Sequence, residues 1–176
     1  MYKLLNPMLR KAARLCNMAL LTVFAATTTN QPSYANNMKF FCEESKGIPT
    51  TFARREDGRK MPIIRWVSSY SFLTPLKRCQ EVSRRFQKSY DNGNLKTIIT
   101  GTINEQSVIC AVVSTNDACT NATVLFTLKR GDNGKTVLER LLDRRGLAGS
   151  VIHNQSSDDS QVYIDFETYL SNLKPE

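Results

Sequence analysis

Few side chains in this 176-residue chain are equipped for covalent or coordination chemistry: five cysteines, one histidine and sixteen acids. His153 sits in a polar, turn-like stretch without an obvious oriented partner, so it reads as a surface histidine. No G-x-S-x-G, G-x-x-x-x-G-K-[ST] or H-E-x-x-H pattern occurs. Glu81 and Asp143 fall on predicted helices, but the sequence does not pair them as an acid and a base, and solvent-facing acids are the simpler reading. Cys42, Cys79, Cys110 and Cys119 are spaced by 37, 31 and 9 residues. Without a close Cys-x-x-Cys pair, neither a zinc site nor a redox motif is expected. Neither metal nor cofactor is called for.

The strongest charge signal is basic. In TPLKRCQEVSRRFQKSYDN, residues 74–92, Leu76, Cys79, Val82, Phe86 and Tyr90 recur at three- and four-residue spacing and share one helical face. Arg78, Arg84, Arg85 and Lys88, with Lys77, fill much of the remainder. Arg54, Arg55 and Arg59 would extend this surface if their hairpin packs alongside. Arginine forks suit carboxylates and phosphates. The partners to expect are an acidic protein, an anionic lipid headgroup or an anionic polysaccharide, and the plainer reading is a solvated basic face. Tyr70 and Phe72, just before the helix, offer a second docking edge or support for the helix entry.

Export frames both readings. Lys3, Arg10, Lys11 and Arg14 precede a mostly apolar run, and residues 33–35, Ser-Tyr-Ala, resemble a signal-peptidase site, so residues 1–35 read as a cleaved signal peptide. The apolar run is about 12 residues, against the roughly 20 that a spanning helix needs. No transmembrane segment is expected after cleavage. Removing the signal takes four of the 24 basic residues, leaving 20 against 16 acids, a net charge of +4. That balance permits an acidic partner, but nucleic acid fits export badly. The remaining 141 residues suffice for one core. Removal of Cys16 leaves four cysteines, an even number that reads as two disulfides with three possible pairings. Cys42–Cys79 and Cys110–Cys119 are favoured, the first tying a strand to the basic helix and the second closing a short loop.

The positioning elements follow in order. MKFFCE, residues 38–43, reads as a strand; residues 50–54 and 60–67 form a hairpin about Asp57-Gly58. Pro62 suggests an edge strand, and Trp66 reads as core. Thr74 and Pro75 open the basic helix. Residues 96–103, 107–113 and 123–129 make three antiparallel strands, with a tight turn at Asn104-Glu105 and Val124, Phe126 and Leu128 on one face. A second helix spans residues 136–145, with Thr136 and Glu139 as a capping box (Asn133 capping a longer version) and Gly146 as its stop. Val162, Ile164 and Phe166 alternate as a last strand, followed by a frayed tail or short helix. Asn121-Ala122-Thr123 matches a glycosylation sequon.

MKFFC, MPIIRWVSSYSF, TPLKRCQEVSRRFQKSYDNGNL, ITGTINEQSVICAV, LFTLKRGDN and LERLLDRRG together resemble the circadian oscillating protein COP23 family of cyanobacteria. The resemblance covers about residues 40–146. It implies a cyanobacterial host, export or peripheral membrane attachment and, for the founding member, expression that follows the day–night cycle. It brings no catalytic residues with it, and such a host makes glycosylation at Asn121 unexpected. The four cysteines fall within the matching segments.

The expected fold is α+β: a small disulfide-stapled antiparallel sheet of about five to seven strands with two packed helices. Residues 36–150 form the domain, and 151–176 a C-terminal strand and tail. The expected function is a non-enzymatic exported binding or structural domain in the periplasm, thylakoid lumen or exterior, with its basic helix available for peripheral contact with a membrane or envelope. The alternatives are a carboxylate-dependent hydrolytic or polysaccharide-modifying enzyme, and an inhibitor or assembly factor acting through the aromatic loop.

Overall fold

The computed structural model describes residues 38–67, 73–142, 144–152 and 161–176. The predicted signal, Tyr70, Phe72, Asp143 and His153 lie outside the described residues.

Three strands open the fold: β1 (Phe40–Ser45), β2 (Ile48–Arg54) and β3 (Lys60–Arg65), in the antiparallel order β1-β2-β3. Gly58 takes a φ of 82° in the second turn, a left-handed angle that glycine adopts without a Cβ clash. Pro62 lies in β3 at the edge, as expected, opposite Phe52 and beside a register shift at Thr51/Phe52.

The helix α1 (Pro75–Asp91) packs on β1 and β2. Thr74 caps it, its hydroxyl accepting from the Lys77 amide at 3.3 Å. Its buried stripe is Cys79, Val82, Ser83, Phe86 and Ser89. Leu76 and Tyr90, expected on that face, are about half exposed. The stripe is rotated toward Ser83 because this small side chain lets the helix approach β2 and donate to Thr51 Oγ1 at 3.0 Å. Trp66 Nε1 donates to the same oxygen at 3.0 Å, so three buried polar groups satisfy one another. A disulfide joins Cys42 of β1 to Cys79 of α1, as favoured.

A second sheet contains β4 (Thr97–Ile103), β5 (Gln106–Val112), β6 (Val124–Thr127), β7 (Val151–Ile152) and β8 (Tyr163–Asp165), in the order β6-β5-β4-β8-β7. The β4–β5 turn is Asn104-Glu105, both with positive φ (48° and 60°), as a two-residue I′ hairpin requires. The expectation of one sheet is therefore corrected to two, of three and five strands. Pro62 removes a ladder donor from β3, which is the edge of the first sheet; an isolated bridge links Ile64 of this strand to Leu142.

Alternation in β6 also differs from expectation. Ile109 pairs with Phe126 but Cys110 with Val124, so Leu125 is an extra residue in a bulge. Phe126 and Leu128 consequently join the main core, whereas Val124 packs on the opposite sheet face with Ile99, Val108, Cys110, Val112 and Tyr163. That outer face is closed by the loop at residues 113–123, which Cys119 staples to Cys110. A Cβ on Gly101 would lie 2.5 Å from Cys119 Sγ, so glycine is what lets the staple lie flat on β4.

The helix α2 (Gly134–Leu141) starts earlier than the capping box at Thr136 suggests: Asn133 is its cap, Oδ1 accepting from the Thr136 amide at 3.0 Å. Leu142 is extended, and the turn α3 (Arg144–Leu147) follows. Gly146 is inside α3 and is not a helix stop; a Cβ there would lie 2.4 Å from the Tyr169 ring. That ring belongs to α4 (Phe166–Asn172), capped by Asp165 accepting from the Thr168 amide at 2.7 Å. Phe166 meets Phe40, Phe86 and Tyr169 with ring centroids 5.6–5.9 Å apart. The final segment thus contributes an interior strand, β8 between β4 and β7, and part of the aromatic core. Glu176 pairs with Arg65, and its amide donates to Lys60 O at 3.0 Å.

Candidate functional site

Helical spacing places Arg78, Glu81, Arg85 and Lys88 on one side of α1, along the flank facing β6. The guanidinium of Arg78 stacks 4.5 Å above the Trp66 ring, and that ring meets Phe126 edge-on at 6.0 Å. Arg84 Nη2 approaches Glu81 Oε1 at 2.8 Å, and Arg85 Nε approaches the same oxygen at 3.0 Å. Arg85 Nη1 also donates to Leu125 O, 3.4 Å away in the β6 bulge. One carboxylate therefore orients two guanidiniums, and one of these covers an edge carbonyl of the sheet. The Arg84 hydrogen bond, aided by Arg85 and opposed by desolvation, holds the Glu81 carboxyl below its ordinary pKa.

Between this flank and β6 lies an open cleft of about 460 Å³. Arg84, Arg85 and Lys88 form its helix side, while Asn104 and Gln106 enter from the β4–β5 turn. Asn121 of the stapled loop is another wall; Ile103, Val108 and Val124 supply aliphatic surface. No carboxylate lines it. Two hydrolytic acids sharing a cleft, the arrangement the enzyme alternative requires, are absent from this one. Among the described residues, no group of three His, Cys, Asp or Glu side chains is arranged to hold a metal ion.

The other basic residues named from sequence are elsewhere. Thr51 and Cys42 face α1, so alternation turns Phe41 and Arg54 to the opposite side of the first sheet, where Arg54 lies 4.6 Å above the Phe41 ring. Arg55 Nη2 donates to Ser171 O of α4 at 3.3 Å, and Arg59 pairs with Asp57 at 2.6 Å. The expected cluster thus contracts to Arg84, Arg85 and Lys88, with Arg78 committed to Trp66. Sequence reasoning missed Asn104, Gln106 and Asn121 as neighbours of this helix. It also missed Glu81 as their organiser, although its i,i+3 and i,i+4 relation to the two arginines is a readable signal.

Fold and site together define a small α+β domain pinned by two disulfides, suited to an oxidising, extracytoplasmic compartment, with a basic cleft beside its principal helix. The chain belongs to the circadian oscillating protein COP23 family, whose family model matches residues 39–171. The similarity therefore continues past Gly146 through β8 and into α4. Comparison with curated proteins finds no match, and comparison with solved structures finds none. Among the described residues, no helix is long and apolar enough to cross a membrane.

Proposed function

We propose that this chain is an exported, non-enzymatic binding domain that holds an acidic partner in the cleft between α1 and β6. The observation that carries this reading is the convergence of Arg84, Arg85 and Lys88 on a cleft lined by no carboxylate. Glu81 compensates part of the charge but fixes the forks of Arg84 and Arg85 before a partner arrives, which reduces the ordering cost of binding. The disulfides and the signal-like leader support action outside the cytoplasm.

The test is fractionation of native cells with low- and high-salt washes, comparing the wild-type chain with an Arg84→Glu/Lys88→Glu variant. These two side chains are exposed, so charge reversal should leave the fold intact. Electrostatic association should be released by high salt, where screening shortens to about 3 Å at 1 M. The double variant should already be free at low salt. Association indifferent to both salt and charge reversal would remove the basic cleft from the account.

A further inference from the structure

We infer that the acidic ligand of the α1–β6 cleft is an anionic saccharide, an inference that rests on the binding role just proposed. Charge alone does not distinguish a sugar from a lipid headgroup; the remaining lining does. Asn104 and Asn121 bring side-chain amides from opposite connections, and neither amide has a hydrogen-bond partner among the described residues. Each amide supplies donors and an acceptor; a simple anion uses only the donors, whereas a hydroxyl-rich ligand uses both. Thr127, half-buried, adds a hydroxyl. Ile103 and Val124, both half-buried, give the C–H face of a sugar ring an aliphatic surface. Arg84, Arg85 and Lys88 then meet its acidic substituent, a carboxylate or a sulfate.

A membrane surface matches this arrangement less well. An interfacial helix sets apolar residues beside its cations along the same crest. Here the exposed Leu73 and Leu76 are at the start of α1. Leu76 is about 18 Å along the axis from Lys88 at the ordinary helical rise. Tyr90, although half exposed, turns its ring edge-on to Phe40 at 5.6 Å. A peptide strand added to β6 would meet an edge whose Leu125 carbonyl already accepts from Arg85.

The disulfide-bonded protein is titrated calorimetrically with a galacturonic acid hexamer, a sulfated glucan oligomer and neutral maltohexaose. Vesicles of phosphatidylcholine and phosphatidylglycerol form the competing arm. At least one anionic oligomer should bind and maltohexaose should not. The Asn104→Gly/Asn121→Ala variant, in which glycine keeps the left-handed angle of the β4–β5 turn, should lose about tenfold or more in affinity at unchanged urea midpoint. Binding to the vesicles but to neither anionic oligomer would overturn the saccharide inference and leave the acidic-partner reading standing. Unchanged affinity after loss of both amides, or no binding to any probe, would also overturn it. If charge reversal at Arg84 and Lys88 leaves every anionic probe bound as before, the cleft reading itself fails.

Discussion

The two disulfides should separate stability from binding. Cys42–Cys79 spans 37 residues and Cys110–Cys119 spans 9. If each acts by restricting the unfolded chain, the loop-closure relation gives about 3.8 kcal/mol for the longer and about 2.6 kcal/mol for the shorter at 25 °C. Replacing each pair by alanine tests the difference. With a urea slope of about 2 kcal/mol/M, Cys42→Ala/Cys79→Ala should lower the midpoint by about 2 M and Cys110→Ala/Cys119→Ala by about 1.3 M. The order should reverse for binding. Cys119 holds the loop whose Asn121 forms a wall of the cleft, while Cys42 and Cys79 tie β1 to the buried side of α1. Under conditions where both variants remain folded, loss of the short staple should weaken binding of an acidic probe more than loss of the long one. Equal midpoints, or a larger drop from the short staple, would refute loop closure as the main source of the stabilisation. A short-staple variant that binds at full strength would refute the assignment of the stapled loop to the cleft.

Glu81 should contribute a pH-dependent part of stability. Its pKa is lowered on folding, so its stabilisation is fully present above the ordinary glutamate value of 4.5 and is lost as pH falls through the lower folded-state value. Its side chain is 39% exposed, so solvent screening limits the effect of Glu81→Gln at neutral pH to about 0.2–1 kcal/mol. Urea midpoints from pH 7 to strongly acidic pH should converge for the two proteins below that range; a constant difference throughout would contradict the ion-pair origin. Thr51→Val should be more damaging, because it removes the acceptor shared by Trp66 Nε1 and Ser83 Oγ. Stranding these buried donors should cost about 1–3 kcal/mol each, and a urea midpoint within error of wild type would show that they find other partners.

The chain discloses local structure more readily than it discloses its cleft. Thr74 and Pro75 announce the start of α1, Asn104-Glu105 marks a two-residue turn, and the cysteine pairing follows from which elements need joining. These signals are local or depend on few alternatives. Leu76 and Tyr90 match the helical period yet remain half exposed, because periodicity locates a stripe without fixing how the helix rotates against its sheet. Ser83 settles that rotation by bonding to Thr51, 32 residues earlier. Similarly, an uninterrupted alternation in β6 would align Val124 with Phe126, whereas the bulge at Leu125 sends them to opposite faces.

The same bulge links fold to site. It is Leu125 O that accepts from Arg85, so the extra residue that breaks the strand pattern also anchors the neighbouring guanidinium. Glu81 fixes that guanidinium from the helix side, and the Cys110–Cys119 staple brings Asn121 to the opposite wall. Only the Glu81 contribution is readable from spacing in EVSRR; the bulge and the reach of the staple leave no contiguous motif. The arginines announce a basic helix; the bulge and the staple help turn one flank of it into a concave surface that amides and cations line together. Substituting the arginines alone therefore tests charge, whereas substituting Asn104 and Asn121 tests whether the ligand recognises more than charge. That distinction decides between a diffuse electrostatic attachment and recognition of a hydroxyl-bearing anion.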